Sequence, residues 1–217
     1  MGLPEIMVFL DLGCGLGRDV FLLMNRLGPK GRHTGIDVTN DSIKWCQMNI
    51  TPTDSRFNFR HVDAYSELYK PFGGKSTTNF SLPNEDGTGD GVGLASVFTH
   101  LLEDEGTHYM SDFRRILSPQ GRVHASFFLH SEEALEAAKT LGETRWKAAF
   151  DIEVGPGVYV NEPQCPSSSF TYTNEAMQRM TPNARPVTRQ QCVKGSWSGL
   201  HGDLAEEGQD AVILSLA

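Results

Sequence analysis

The chain has 217 residues, the size of one ordinary domain with a substantial hydrophobic core. Hydrophobic residues make up 39% of it and charged residues 21%, a balance that excludes a disordered or fibrous protein. The formal net charge of −8 at pH 7 argues against nucleic acid or an anionic membrane surface as the main partner.

Targeting and redox features of the sequence point to the cytoplasm. The apolar run at the start is too short to span a bilayer and has no basic flank, so we interpret it as a buried strand. The four cysteines form no C-x-x-C pair and show no metal-ligand spacing. They are therefore expected to be reduced thiols, and no metal site is expected.

Strand and helix patterns alternate along the first two-thirds of the chain, which is typical of a parallel sheet covered by helices on both faces. The predicted strands cover residues 6–12, 33–38, 57–62, 91–98 and 122–129. The predicted helices cover residues 19–27, a segment capped by Asn40 or Asp41, and residues 101–117 and 132–141. Segment 69–90 is interpreted as a long surface loop and segment 118–121 as a turn, and beyond residue 141 the pattern is broken by Pro156, Pro163 and Pro166.

The last part of the chain has a weaker pattern, with a predicted helix over 176–180 and closing strands over 187–194 and 211–216. No internal repeat and no linker divides the sequence. Residues 1–217 are therefore expected to form a single domain of the α/β class. The predicted fold is Rossmann-like and doubly wound, with a mostly parallel sheet of about seven strands.

Three alternating glycines, Gly13, Gly15 and Gly17, follow the first predicted strand. Glycines permit a tight turn and let a ligand approach the backbone, and the N-terminus of the next helix offers unpaired N–H groups. Arg18 occupies the place of the third glycine in the dinucleotide fingerprint G-x-G-x-x-G. Asp11, just before the turn, would repel a pyrophosphate and attract a sulfonium or an ammonium group. The turn therefore favours a cationic ligand over a dinucleotide.

Acidic residues also end the second and third predicted strands. Asp37, about 20 residues beyond the glycine turn, can accept hydrogen bonds from both ribose hydroxyls of an adenosine cofactor. Asp63 lies at the carboxyl edge of the predicted sheet, where ligands bind. Its other interpretation is a helix cap or a loop acid. The position of Asp37 is compatible with either S-adenosylmethionine or NAD as cofactor, so it does not discriminate between them.

The chain resembles the class I methyltransferases that depend on S-adenosylmethionine (SAM), and in particular their small-molecule group. The matching segments are DLGCGLG at 11–17 for the first motif, GID at 35–37 for the ribose motif, HVDA at 61–64 for the adenine motif, and FRRILSPQGR at 113–122 for the RxLxPGG signature. The segments SVFTHL at 96–101, GSWSG at 195–199 and QD at 209–210 resemble one bacterial subgroup.

This resemblance implies SAM as cofactor and methyl transfer to an O, N or C nucleophile of a small-molecule acceptor. It implies cofactor contacts at Asp11, Gly13, Cys14, Gly15, Gly17, Asp37, Val38, Asp63, Ala64 and Ser96. Two departures are evident. Members usually carry cap helices before the first strand, where this chain has five residues, so the cap is expected to be missing or very short. The segment 89–93 is looser than the usual FDxV opening of the fourth strand.

Methyl transfer from a sulfonium is a direct displacement in which the cofactor supplies the reactive carbon, so the protein mainly aligns the reacting groups. His100, after the fourth predicted strand, is the candidate general base for a hydroxyl acceptor. The alternative is that Thr99 caps the next helix and His100 lies in its first turn. Trp197 is either a wall of the acceptor site or a core residue. Arg18 holds the methionine carboxylate of the cofactor or forms a surface ion pair.

Three functions remain open at this level. The first is a small-molecule methyltransferase, and the second is a SAM-binding scaffold without catalysis. The third is an NAD-dependent oxidoreductase, which Asp11 and Arg18 disfavour. The sequence specifies neither the acceptor nor the oligomeric state.

Overall fold

The computed structural model describes residues 7–74, 76, 80–140, 150–186, 192–198, 200 and 208–216, which fall into two compact units. The first unit comprises Met1–Ala95, Ser111–Val123 and Leu216–Ala217, and the second comprises Ser96–Met110 and His124–Ser215. Helix α3 (Glu103–Ile116) and strand β5 (Leu117–Phe127) run through both. Within the described ranges, no helix is long and apolar enough to cross a membrane.

The first unit is built on a sheet with the strand order β5-β4-β1-β2-β3. Its pairs β1–β2, β1–β4 and β2–β3 are parallel, which confirms the predicted mostly parallel, Rossmann-like sheet. Its complete elements are β1 (Val8–Leu12), α1 (Val20–Leu23), β2 (Arg32–Asp37), α2 (Asn40–Asn49), β3 (Phe57–His61) and β4 (Gly89–Leu94).

One core cluster of the first unit lies between the two short helices and the strands. In α2, Ile43 and Cys46 are three positions apart and Ile50 follows the helix, so one stripe of the helix is apolar and buried. This stripe packs with Phe57 and Phe59 of β3. The packing fixes α2 beside the strands and holds the turns at their carboxyl ends in place.

The second unit contains a small antiparallel sheet and the closing strands of the chain. The small sheet has the order β6-β7-β8, and β11 pairs antiparallel with both β9 and β10 and lies next to β5 in the strand order. Its elements are α4 (Glu132–Thr140), β6 (Ile152–Gly155), β7 (Val158–Val160), β8 (Phe170–Tyr172), α5 (Asn174–Met180), β9 (Arg185–Pro186), β10 (Cys192–Val193) and β11 (Asp210–Ser215).

Two proline-containing segments form more regular structure than the sequence pattern indicates. Strand β6 ends and strand β7 begins on either side of Pro156 and Gly157, which form the tight turn between these strands. Gly157 has a φ of 72°, as the third position of a type II turn requires. The supposed turn over 118–121 lies inside β5, so Pro119 does not interrupt this strand.

Other predicted boundaries also differ from the structure. The helix expected over 19–27 is regular only from Val20 to Leu23, because the Arg26 N–H bonds to the Leu23 carbonyl three positions back. Thr39, not Asn40 or Asp41, is the N-cap of α2, and its side chain makes no capping bond. The short helix predicted over 176–180 is confirmed as α5. Parts of three predictions, at residues 6, 141 and 187–191, lie outside the described residues.

Candidate functional site

The glycine turn after β1 exposes its backbone on one side and packs tightly on the other. Gly13, Gly15 and Gly17 have φ values of 75°, 51° and 75°, a region that side chains rarely adopt. A Cβ on Gly15 would meet no atom within 4 Å, whereas a Cβ on Gly17 would lie 2.7 Å from Cδ1 of Ile50. Gly15 therefore leaves space for a ligand, while Gly17 permits close packing on α2.

Replacing Gly17 by alanine is expected to lower the free energy of unfolding by about 2–4 kcal/mol, because strain at positive φ adds to a contact with Ile50. Gly15→Ala is the matched control, since it carries the strain without the contact and is expected to cost about 1–2 kcal/mol. Urea unfolding of both variants measures the difference. Equal losses would show that the packing of Gly17 contributes nothing.

Asp37, at the end of β2, joins the glycine turn to the turn that follows its own strand. Its Oδ2 accepts a hydrogen bond from the Gly15 N–H at 2.8 Å, and its Oδ1 accepts one from the Thr39 N–H at 2.7 Å. The residue is half-buried. Each carboxylate oxygen has a further acceptor position, so Asp37 can still accept two hydrogen bonds from a diol. The carboxylate thus lies beside the open side of the turn.

Asp11, two residues before Gly13, lies beside a buried histidine of the neighbouring strand β2. Its side chain is buried, and its Oδ2 lies 3.5 Å from Nε2 of the fully buried His33, whose ring packs against Phe57 at 5.1 Å. Neither this oxygen nor either ring nitrogen has a hydrogen-bond partner among the described residues. Asp11 can therefore influence a cation at the turn through its electric field. No sequence pattern identifies His33 as part of this region.

The side chains that flank the turn are either buried or exposed to solvent. Cys14 is buried, and its Sγ and the Sγ of Cys46 lie 3.8 Å and 3.5 Å from the Gly15 carbonyl oxygen. Burial raises the pKa of both thiols, to about 11 for Cys46. The Arg18 side chain is 78% exposed, with Nε 3.7 Å from Oδ1 of Asp19, which agrees with the surface ion pair considered for it.

After β3 the chain folds back, so that Lys70 forms an ion pair with Asp63. Nζ of Lys70 lies 2.5 Å from Oδ1 of Asp63 and 3.2 Å from Nε2 of His61, and the Lys70 ammonium lowers the pKa of Asp63. Nε2 of His61 also lies 3.2 Å from the carbonyl oxygen of the half-buried Val38. Ala64 is fully buried. Asp63 is therefore ion-paired, and no described helix begins there.

Ser96 belongs to the second unit and takes part in a polar cluster of its own. It is not in β4, which ends at Leu94, and its φ of 63° is incompatible with a strand. Its N–H donates to Oγ of Ser126 at 2.7 Å, and its Oγ accepts from Nε2 of Gln209 at 2.6 Å. These partners are 30 and 113 residues away in sequence, so no local pattern could have identified them as members of one cluster.

His100 lies in a 3₁₀ turn, Phe98–His100, rather than in the helix that follows. Its Nδ1 donates to the Ser167 carbonyl at 2.9 Å, because a carbonyl can only accept. Thr99 does not cap α3, which begins at Glu103. The N–H of Leu102 is instead bonded to a carboxylate oxygen of Glu105, three residues on. The alternative in which Thr99 is a cap is therefore wrong.

Burial lowers the pKa of His100 below its usual value, and hydrogen bonds to backbone carbonyls only partly oppose this. The unfolded chain, with a normal imidazole pKa of about 6.5, then binds more protons than the folded chain. Stability is therefore expected to fall as the pH drops below about 6.5. The melting temperature of His100→Gln should decrease less between pH 7.5 and pH 5.5 than that of the wild type. An identical decrease in both proteins would contradict this prediction.

Trp197 is a core residue in this structure, not a wall of an open site. It is 2% exposed, its Nε1 donates to Oδ2 of Asp210 at 2.8 Å, and its ring meets Phe128 and Phe150 edge to face. The core interpretation of Trp197 is thus confirmed. Over the described residues, no group of three or more His, Cys, Asp or Glu side chains is arranged to hold a metal ion.

Comparisons with known proteins agree with this architecture. The SAM-dependent methyltransferase from Aquifex aeolicus is 17% identical, with a TM-score of 0.55 over 97% of this chain and 82% of that one. CalO1, a methyltransferase of calicheamicin biosynthesis in its SAH-bound form, is 11% identical, with a TM-score of 0.59 over 99% and 50%. A TehB-like SAM-dependent methyltransferase from Corynebacterium glutamicum is 20% identical, with a TM-score of 0.43 over 58% and 57%.

At these identities the two structures with TM-scores of 0.55 and 0.59 show a common fold. This chain spans only about half the length of the Corynebacterium protein and of CalO1. The family is shown by a different comparison. A family model described as a methyltransferase domain matches residues 5–152, which is more than half of the 217 residues. The chain therefore belongs to the methyltransferase domain family.

Proposed function

We propose that this chain transfers the methyl group of SAM to an O, N or C nucleophile of a small-molecule acceptor. One observation carries the proposal: the Asp37 carboxylate bonds to the Gly15 N–H on the open side of the glycine turn. This hydrogen bond holds a carboxylate that can bind a diol next to the Gly15 backbone, which a ligand can approach. The family membership and the SAH-bound state of CalO1 support the same cofactor.

In this proposal each predicted site residue has a stated role in cofactor binding. Asp37 accepts hydrogen bonds from the ribose hydroxyls, and the buried Asp11 stabilises the positive charge of the ligand at a distance. The remaining residues contribute backbone or packing contacts at the turn, contacts to the adenine, or a hydroxyl after β4: Gly13, Cys14, Gly15, Gly17, Val38, Asp63, Ala64 and Ser96.

The reaction needs alignment more than acid–base chemistry. When bound, SAM supplies a methyl group that is activated by its bond to the sulfonium sulfur, and this sulfur leaves as a neutral thioether. The protein holds the acceptor nucleophile in line with that methyl group, which is worth about 7–11 kcal/mol in favourable cases. His100 is the proposed general base for a hydroxyl acceptor. Its lowered pKa keeps the imidazole neutral near pH 7, and with Nδ1 protonated the second proton would be taken up by Nε2.

We further propose that residues 1–217 act as one domain in the cytoplasm, without a nucleic-acid or membrane partner. The net charge of −8 supports the proposed lack of a nucleic-acid or membrane partner, because nucleic acids and most membrane surfaces are also anionic. The same charge does not oppose a small neutral or cationic acceptor.

Methyl-labelled SAM, incubated with the purified chain and a cell extract, tests the proposed reaction. After separation by size, the label is expected in the small-molecule fraction and to depend on the presence of the chain. Label found only in the protein or nucleic-acid fraction would contradict the small-molecule acceptor. No transfer to any fraction, with SAH binding intact, would contradict catalysis and favour a SAM-binding scaffold.

A further inference from the structure

His33 lies beside Asp11 because of the register between β1 and β2 in the first unit. Phe9 is directly opposite His33, and Asp11, two residues further along β1, extends from the same face of the sheet. Nε2 of His33 lies 3.5 Å from Oδ2 of Asp11, and the two side chains are 0% and 3% exposed. The pair is therefore withdrawn from water directly before the glycine turn.

The surroundings of His33 are otherwise aromatic. Its ring packs among those of Phe9, Phe57 and Phe59, whose centroids lie 6.2, 5.1 and 5.7 Å from its own. A carboxylate oxygen can only accept, so the approach of Nε2 to Asp11 is favourable when Nε2 carries a hydrogen. The separation of 3.5 Å exceeds the ~2.7–3.2 Å of an ordinary N–H···O bond, so a small side-chain shift would complete this bond.

The electric field of Asp11 reaches residues within and just after the glycine turn. Burial is the largest cause that raises the pKa of Cys14 and of Asp19, and the negative charge of Asp11 is the next. Burial also raises the pKa of Cys46, with smaller contributions from Asp37 and then Asp11. A negative charge that acts at these positions also acts on a cation bound to the open side of the turn.

The charge of Asp11 needs compensation to persist at this depth. An ionised carboxylate that is removed from water is stable only when a hydrogen-bond donor or a positive charge lies beside it. Among the described residues, Oδ2 of Asp11 has no hydrogen-bond partner, and neither ring nitrogen of His33 has one. The N–H of His33 and this oxygen are therefore the complementary groups of a buried pair.

We propose that His33 is a positioning residue that stabilises the buried charge of Asp11, so that Asp11 favours the sulfonium of SAM over the neutral sulfur of S-adenosylhomocysteine. This inference rests on the proposed function. Methyl transfer leaves the electron pair of the broken S–C bond on sulfur and forms a new bond from the acceptor to the methyl carbon. The attraction to Asp11 is thereby lost in the product, which favours replacement of the product by new substrate.

Calorimetric titration with SAM and with S-adenosylhomocysteine at pH 7.5 tests this assignment. The adenosine, ammonium and carboxylate groups are common to both ligands, so the ratio of the dissociation constant for SAM to that for S-adenosylhomocysteine reports on the sulfonium. His33→Leu, similar in size but without an N–H, is expected to raise this ratio about 3- to 10-fold, because the unpaired buried carboxylate takes up a proton. His33→Gln retains a donor and should stay within about twofold of the wild type.

Asp11→Asn shows whether His33 acts through Asp11. This variant alone should raise the same ratio by about 3- to 10-fold, because the charge that favours the sulfonium is removed. In the double variant Asp11→Asn/His33→Leu the ratio should not rise further. The double variant should also melt at a higher temperature than His33→Leu, in which a buried carboxylate has lost its donor.

Ile43→Ala is the matched control for damage to the core. Ile43 belongs to the same core cluster as Phe9, Phe57 and Phe59, and its side chain has no polar group. Its truncation should lower the melting temperature but leave the ratio of the two dissociation constants within about twofold of the wild type. A purely structural role of His33 would give the same result for His33→Leu.

The outcomes that overturn this inference are distinct from failure of the proposed function. An unchanged ratio in His33→Leu, an equal rise in Ile43→Ala, or a further rise in the double variant would overturn the role of His33. If His33→Leu is too unstable to titrate, recovery of folding by Asp11→Asn supports the pair, and its absence overturns it. Absence of binding of both ligands to the folded wild-type chain would instead overturn the proposed function.

Discussion

Asp37→Ala is expected to weaken the binding of S-adenosylhomocysteine by about 100-fold or more, the largest effect on binding among these predictions. The substitution removes the proposed acceptor of two ribose hydroxyls and the observed acceptor of the Gly15 and Thr39 N–H groups. Each hydrogen bond to a charged group is worth about 1.5–3 kcal/mol. Isothermal titration at pH 7 measures the change.

The matched control for this prediction is Asp41→Ala. Asp41 is an exposed acid in the first turn of α2, four residues beyond Asp37, and it carries the same charge. Its loss should leave the affinity within about twofold, because exposed charges are strongly screened. Equal effects of the two substitutions would show that only net charge matters and would contradict the assigned role of Asp37.

Asp210→Ala is expected to lower the free energy of unfolding by about 3–5 kcal/mol, the largest effect on stability. The buried Asp210 carboxylate accepts hydrogen bonds from the N–H groups of Leu129 and Gly195 and from Nε1 of Trp197, at 2.8–3.0 Å. Alanine would leave all three donors buried without an acceptor, each at a cost of about 1–3 kcal/mol.

Urea unfolding followed by tryptophan fluorescence measures this effect, because Trp197 is bonded directly to Asp210. Asp151→Ala, an exposed acid of the same unit, is the control and should stay within about 0.5 kcal/mol of the wild type. If Asp210→Ala unfolds at the same urea concentration as the control, the buried carboxylate is not the anchor of β11 that its contacts suggest.

Features that depend on a few consecutive residues were predictable from the sequence. The glycines of the turn and Asp37 at the end of β2 follow from local patterns, and both lie where those patterns placed them. The burial of the Asp11 carboxylate beside His33 was not predictable, because it depends on β2 and on the packing of His33 between aromatic rings. A single strand pattern does not reveal which buried partner lies in the neighbouring strand.

Proline residues and long-range contacts explain most of the remaining differences between the sequence-based predictions and the structure. Pro156 was interpreted as a breaker, yet with Gly157 it forms a turn between two strands, and Pro119 lies within β5. The polar cluster of Ser96, Ser126 and Gln209 joins three distant segments of the chain. Nothing in the sequence around Ser126 separates it from an ordinary strand serine.

The most direct test of the central claim is calorimetric titration of the folded wild-type chain with S-adenosylhomocysteine and, in parallel, with NADH. The account predicts saturable, stoichiometric binding of S-adenosylhomocysteine and no binding of NADH. Tight NADH binding without S-adenosylhomocysteine binding would contradict the account and would assign the glycine turn to a dinucleotide.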